Sequence, residues 1–163
     1  MVVKSRANPP PKLDLGHLAY FLGLRVNQLV TERMRAAGFQ DVRESHGVVI
    51  QHLVEKERSI TELAERMEVT QQAASKAVAE LAELGIVDFA PSADRRAKKV
   101  RLSLRGWNAV RLGRQARRQI ESQLIRVLGA EPYETAKSVL STGLEALGGL
   151  ERARSRRILP PPA

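Results

Sequence analysis

The segment that follows Thr70 carries side chains able to hydrogen-bond to the edges of nucleotide bases. Five of them share the outer side of a helix at this spacing: Gln71, Gln72, Ser75, Lys76 and Ala79. Glutamine can form paired hydrogen bonds with adenine, lysine can contact guanine or a phosphate, and an alanine methyl can touch thymine. No acidic residue precedes Glu80 in this helix, so its first two turns would not repel phosphates. The alternative is a helical hairpin with a solvated polar face.

A second candidate group is a run of basic residues farther along the chain. Five of the seven residues from 95 to 101 are basic: Arg95, Arg96, Lys98, Lys99 and Arg101. Arginine is attracted to the narrow minor groove of A·T-rich DNA, where negative potential is concentrated. Asp94 precedes the run, and we expect its carboxylate to hold Arg95 or Arg96 in one rotamer. Taken alone, the run would be interpreted as a solubilising turn.

Two predicted helices position the first group. Ser59 and Glu62 form the capping-box pattern at the start of a short helix that ends near Met67. The second helix begins after Thr70, a suitable N-cap, and ends near Leu84. Two helices joined in this way form a helix-turn-helix, whose second helix can enter the major groove. Four residues at these ends and in the basic run are expected to contact phosphates: Ser59, Thr61, Thr70 and Lys99.

The basic run lies at the tip of a predicted hairpin. Alternating apolar residues predict one short strand over residues 86–89 and another that includes Val100, Leu102 and Leu104. A basic hairpin directly after a helix-turn-helix is the arrangement of a winged helix. Four residues of this wing are predicted to lie at the minor groove: Asp94, Arg95, Arg96 and Lys98.

The remaining helices carry more apolar surface than one small domain needs. Helical spacing predicts a first helix from Asp14 to Ala37, a fifth over about 104–128 and a sixth that reaches Leu147. Large exposed apolar faces mark interfaces. Six residues are therefore expected at a dimer interface: Leu18, Leu22, Val139, Leu140, Leu144 and Leu147. The alternative is that helices 1, 5 and 6 pack only within one chain.

The composition indicates a basic protein with an aliphatic core. The 163 residues include 27 Lys and Arg against 18 Asp and Glu, which gives a net charge of +9, and only 4% of residues are aromatic. Such a charge favours an anionic partner, most commonly nucleic acid, although a membrane surface or an acidic protein would suit the same sign. The sequence shows no membrane-spanning window and no secretion signal, so we predict a cytoplasmic protein.

The sequence carries no motif for catalysis or metal binding. It has no cysteine, which excludes disulfides, thiolate catalysis and thiolate zinc sites. His46 and His52 are six residues apart and would face different sides of a helix, which disfavours a metal site. No glycine-rich phosphate loop or nucleophile elbow occurs. We therefore predict a protein that is not an enzyme and needs no cofactor or metal.

Four segments resemble the MarR family of bacterial transcription regulators. They are residues 59–67, 69–76, 81–87 and, above all, Asp94-Arg-Arg-Ala-Lys-Lys-Val-Arg-Leu-Ser-Leu-Arg-Gly106, which is similar to the family's wing signature. The resemblance covers about residues 14–147 in the same order of elements, while Ser103 stands where threonine is usual and both tails fall outside the pattern. It implies a mainly α fold, with a winged helix-turn-helix lobe that has a two-stranded wing, and a helical dimerisation domain.

The resemblance also divides the chain and implies how it would act. The expected parts are a disordered tail 1–13, a dimerisation helix 14–40, a DNA-binding lobe 41–103, dimerisation helices 104–148 and a basic, Pro-rich tail 149–163. A homodimer would bind a near-palindromic operator on double-stranded DNA, and we predict a repressor. The alternative is a nucleoid-type protein that binds DNA without sequence preference, as the basic tail and helix-5 arginines would allow.

Family members often release DNA when they bind a small aromatic or anionic effector. Five residues are candidates for contact with one: His17, Tyr20, His46, Trp107 and Arg111. Each candidate also has a structural alternative. Tyr and Trp are common core residues, and His46 can cap the second predicted helix, which begins near Ser45. Arg111 can lie on a solvated stripe with Arg114 and Arg118. The absence of cysteine excludes the thiol-sensing branch of the family.

Overall fold

The computed structural model describes residues 12–90 and 98–155, which are mainly helical. The elements in chain order are α1 (Leu15–Ala36), α2 (Glu44–Leu53), β1 (Arg58–Ser59), α3 (Ile60–Met67), α4 (Gln71–Glu83), β2 (Val87–Phe89), β3 (Lys99–Leu102), α5 (Leu104–Leu128), α6 (Ala130–Ala146) and α7 (Leu150–Ser155). A lobe that contains α2, α3, α4 and the three strands is joined to long helices α1, α5 and α6. This arrangement confirms the predicted mainly α, winged helix-turn-helix fold.

Local capping residues set the helix ends close to where the sequence predicts them. The Asp14 carboxylate accepts a hydrogen bond from the His17 N–H at 2.9 Å and begins α1. Gly38 follows the other end of α1 with φ of 88°, a left-handed conformation that glycine adopts without strain. Ser59 and Glu62 form the reciprocal capping box of α3, with bonds of 2.7 and 3.1 Å. The predicted boundaries of these helices are therefore confirmed to within about one residue.

The sheet has three strands, one more than the sequence predicts. Its strand order is β1-β3-β2, and Arg58 of β1 pairs with Val100 of β3. A two-residue strand is too short to show an alternating pattern, so the sequence pattern does not predict it. Leu104 begins α5, as the predicted helix over about 104–128 requires, and its inclusion in the second strand was wrong. Ser103 caps α5, and Leu104 is its first residue, with 88% of its surface exposed.

Aliphatic side chains from α2, α3, α4, β2 and β3 form the core, as the composition predicts. The cluster includes Val49, Leu53, Leu63, Val78, Leu81, Ile86, Val87 and Val100. Arg58 is also buried, with 2% of its surface exposed. Its Nε donates to the His52 carbonyl at 2.7 Å and its guanidinium pairs with Glu55 at 2.9 Å, so the buried charge keeps its partners.

The long helices leave much apolar surface uncovered. α1 packs along α5 and α6 packs on α5, yet neither α1 nor α6 contains a fully buried residue. None of the described helices is both long and apolar enough to cross a bilayer.

Part of the segment predicted to be a basic, Pro-rich C-terminal tail is helical. Residues 150–155 form α7, which packs against α6. The Arg152 guanidinium pairs with the Glu68 carboxylate in the turn between α3 and α4. This pair joins residues 84 positions apart, so no local pattern in the sequence predicts it.

Candidate nucleic-acid interface

The exposed face of α4 is the first part of the candidate interface. Ala74, Val78 and Leu81 on the opposite face are buried in the core, which fixes the rotation of the helix. The structure therefore places all five predicted base-contacting residues on the outer surface: Gln71, Gln72, Ser75, Lys76 and Ala79. The Gln71 amide donates to the Thr61 hydroxyl at 2.8 Å, which links the start of α4 to the start of α3.

The residues predicted to contact phosphates lie at element ends around this face. Thr61 and Thr70 are exposed, and the Thr70 hydroxyl oxygen accepts the Ala73 N–H at 3.2 Å while it caps α4. Ser59 is half-buried, since its hydroxyl oxygen accepts the Glu62 N–H. Lys99 is exposed and its ammonium lies 3.6 Å from Glu57. All four hydroxyl or ammonium groups thus already contact another residue of the protein, and all four residues border the helix-turn-helix or the wing.

The described part of the wing is its base. Asp94, Arg95 and Arg96 lie outside the residues that the structure describes. Lys98 directly precedes β3 and its ammonium lies 5.8 Å from the centre of the Phe89 ring. Because Phe89 pairs with Val100, the last residues before the tip are held in register on both strands.

A close junction between the wing and α5 fixes the orientation of the hairpin. The Ser103 hydroxyl donates to the Gly85 carbonyl at 2.6 Å and accepts the Gly106 N–H at 3.0 Å. The Ser103 N–H donates to the Ile86 carbonyl at 3.0 Å. Serine thus supplies the hydroxyl that threonine would supply at this position.

A buried histidine connects α2 to the far end of α4. His46 is 2% exposed; its Nδ1 accepts the Arg43 N–H at 3.2 Å, so its Nε2 carries the hydrogen and donates to Glu80 at 3.0 Å. Its predicted alternative role as a cap of helix 2 is therefore seen. The Arg43 guanidinium also lies 3.5 Å from Glu80. The contact between His46 and Glu80 has no local signal in the sequence, because the two residues are 34 positions apart.

We expect this contact to make stability depend on acidic pH. The hydrogen bond from His46, aided by the charges of Arg43 and Lys76, holds the pKa of Glu80 below its ordinary value of 4.5. A carboxylate whose pKa is lowered by folding stabilises the folded state above that value and loses the effect as the pH falls. Glu80→Gln should therefore lower the urea midpoint at neutral pH and flatten its decline below pH 4.5.

Glu83→Gln is the matched control for this prediction. It removes the same charge from an exposed residue of α4. The carboxylate of Glu83 forms no hydrogen bond or ion pair with another described residue. Its urea midpoint should follow the wild-type curve. Parallel curves for wild type and Glu80→Gln below neutral pH would contradict the assigned role of Glu80.

A cavity of about 180 Å³ lies between α1, α2 and α5. Met34, Ile50 and Val110 supply apolar walls, and three arginines border it: Arg43, Arg114 and Arg117. The Arg117 guanidinium donates to the Asn27 side chain at 2.9 Å. The arrangement suits a small molecule with an apolar body and a negative group.

The five predicted effector-binding residues lie elsewhere. Tyr20 is 62% exposed near the beginning of α1, and His17 pairs with Asp14 at the helix start. Trp107 is half exposed beside a separate groove, and Arg111 donates to Asn108 at 3.2 Å. His46 is buried against Glu80. The structure does not bring these residues together, and none of them lines the cavity between α1, α2 and α5.

Comparison with known proteins gives the same fold and a family match. Residues 41–97 match the model of the MarR family. MepR, a transcription regulator of the Staphylococcus aureus multidrug efflux pump MepA, superposes with a TM-score of 0.66 at 17% identity, over 83% of this chain and 99% of that one. A MepR mutant bound to an oligodeoxyribonucleotide superposes with a TM-score of 0.62 at 18% identity, over 83% and 99%. Oxidised MarR from E. coli gives 0.62 at 19% identity, over 82% and 96%.

A search of curated proteins finds no match. Among residues 12–90 and 98–155, no group of three or more His, Asp or Glu side chains could hold a metal ion. The matched segment covers the helix-turn-helix, and the shared fold extends over the long helices. Residues 41–97 therefore carry the sequence pattern of the MarR family, and the described chain has the winged helix-turn-helix fold of the solved MepR and MarR structures.

Proposed function

We propose that this protein is a sequence-specific, dimeric DNA-binding repressor that occupies a near-palindromic operator. The outer face of α4 carries the proposal, because its glutamines and lysine suit base edges and its core-facing side is fixed by burial. The oligodeoxyribonucleotide complex of the structurally similar MepR mutant supports DNA as the partner. The net charge of +9 favours the same class of partner.

The uncovered apolar residues of α1 and α6 support a homodimer. Leu18 and Leu22 on α1, Val139 and Leu144 on α6, and Leu147 directly after α6 are between 43 and 88% exposed, and Leu140 is partly buried. Burial of such a surface against a second copy would stabilise a two-fold dimer. The two α4 helices would then contact half-sites about one helical turn, roughly 34–36 Å, apart.

Operator binding tests the proposal directly. The protein is titrated against the DNA upstream of its own gene at several salt concentrations, with random duplex as competitor. Each neutralised phosphate should contribute about −0.9 to the slope of log affinity on log salt. Tight binding that resists the competitor is expected. Equal displacement by random DNA would instead favour non-specific binding, the function that the exposed arginines of α5 would allow.

Gln72→Ala should relax base preference without unfolding the lobe. The Gln72 side chain is exposed, and its amide makes no hydrogen bond to another described residue, so its removal should leave the fold intact. The loss of one base contact should remove discrimination of about 1–3 kcal/mol at one base pair. The measurement is affinity for a panel of operators with single substitutions. Gln115→Ala removes an exposed glutamine of α5 and is the control; the relative affinities across the operator panel should stay those of wild type. An unaltered panel for Gln72→Ala would exclude this residue from base contact.

We also propose that a small aromatic anion releases the protein from DNA by binding the cavity between α1, α2 and α5. The cavity adjoins both the long helices and α2 of the lobe, so a ligand there would contact both parts at once. Its arginines favour a carboxylate, and its apolar walls favour a ring.

Gly113→Val tests this cavity. A Cβ at Gly113 would meet only the Met34 sulfur at 3.9 Å, so a larger side chain fits but fills the space. Release of DNA by aromatic carboxylates should then need about tenfold more ligand, while operator affinity stays the same. Gly113→Ala, which adds one methyl group, should respond nearly as wild type does. Unchanged release in the valine variant would place the effector elsewhere.

A further inference from the structure

We propose that a cleft between α3, α5 and α7 binds phosphate groups, at a site separate from the base-contacting face of α4. The cleft measures about 450 Å³ and is bordered by Arg66, Arg114 and Arg154. These arginines belong to three different helices, so they border one cleft only in the folded chain. Nothing in the sequence pattern singles out this trio.

The three arginine side chains of the cleft are unpaired within the described part of the protein. None of the three guanidinium groups forms a hydrogen bond or an ion pair with another described residue. Glu55 also borders the cleft, but its carboxylate already pairs with the buried Arg58 at 2.9 Å. Three like charges around one space repel one another, and a bound anion would relieve that repulsion.

Among the anions that could relieve this repulsion, phosphate suits arginine well. Its planar guanidinium presents pairs of N–H donors that match two phosphate oxygens. A ligand with several phosphate groups could contact all three helices, whereas a single carboxylate offers only two oxygens. Such groups occur on phosphorylated small molecules and on the DNA backbone.

The position of α7 explains how such a site could stay assembled. The pair between Arg152 and Glu68 already holds this helix against the helix-turn-helix. Arg154 of the same helix borders the same cleft as Arg66, which lies in the last turn of α3. A phosphate bridge across the cleft would add a second contact between the C-terminal helix and the lobe.

Inorganic tripolyphosphate is the probe for this site. Its binding to the full chain is measured by calorimetry at constant ionic strength, for wild type and for Arg66→Gln, Arg154→Gln and Arg118→Gln. The first two variants should bind about tenfold more weakly. Arg118→Gln removes the same charge from an exposed position of α5 outside the cleft and should bind as wild type does. Arg114 is left intact because it also borders the cavity between α1, α2 and α5.

Three results would overturn the proposal. One is no binding of tripolyphosphate by the wild-type protein at millimolar concentration. Another is an equal loss in all three variants, which would mean that the net charge attracts the anion without a defined site. Folding of each variant is checked by its circular dichroism spectrum, and a folded Arg154→Gln with unchanged affinity also counts against the cleft.

Duplex DNA distinguishes the two sources of phosphate. If tripolyphosphate binds equally well in the presence of the operator, the site takes a free phosphorylated molecule. If the operator displaces it, and Arg66→Gln and Arg154→Gln weaken DNA binding by a similar factor, the phosphates are those of the DNA backbone. Gln72→Ala should leave tripolyphosphate affinity unchanged, so failure of the proposed base contacts would not affect this test.

Discussion

Gly106→Ala should destabilise the protein by about 3 kcal/mol or prevent its folding. A Cβ on Gly106 would lie 2.1 Å from the Ile86 carbonyl oxygen, a distance that no real contact reaches. That oxygen belongs to the backbone and already accepts the Ser103 N–H, so it cannot move without loss of the junction between the wing and α5. The free energy of unfolding in urea measures the effect.

The glycine at position 47 offers a matched control. It also lies inside a helix, but a Cβ there would meet nothing within 4 Å. Gly47→Ala should therefore stabilise the protein by about 0.5–1 kcal/mol, because alanine loses less backbone freedom on folding. Equal stability of Gly106→Ala and wild type would mean that α5 and Ile86 are farther apart than the structure places them.

Val139→Glu should separate the proposed dimer and remove most of its DNA affinity. Val139 is 50% exposed at the middle of the apolar face of α6, and a carboxylate buried there against a second copy would lose its hydration without gaining a partner. A monomer can contact only one half-site at a time, so operator affinity should fall roughly a hundredfold. Sedimentation equilibrium and operator titration give the two readouts.

Ser138→Glu is the control for the charge itself. Ser138 is exposed and neighbours Val139, but the 100° step of the helix and the spacing of the apolar residues place it away from their face. This variant should stay dimeric and bind the operator like wild type. A dimeric Val139→Glu protein with full DNA affinity would exclude α6 from the interface.

Much of the fold could be predicted because its signals are local. Asp14, the Ser59–Glu62 capping box and the Thr70 cap each act within three residues of the backbone group that they satisfy. The apolar spacing of α4 likewise fixed which side is buried, and therefore which side carries Gln72 and Lys76. These features depend only on neighbours along the chain, so the sequence contains the whole of each signal.

The features that the sequence analysis missed arise from residues far apart in the chain. The short strand β1 exists because β3 lies beside it, and Arg58 of β1 pairs with the distant Val100 of β3. The bond from His46 to Glu80 spans 34 positions and that from Arg152 to Glu68 spans 84. No periodic pattern encodes such contacts.

In the candidate site, too, some features depend on neighbouring residues and others on residues far apart in the chain. Side-chain types and helical spacing by themselves determined which side of α4 is exposed and polar, and which family the chain resembles, because both depend on short contiguous segments. Only the tertiary structure decided where the cavity lies, which arginines border it, and that Arg66, Arg114 and Arg154 share one cleft. The physical reason is that cavities and charge clusters are defined by distances in space, which follow from the packing of whole helices rather than from any one segment.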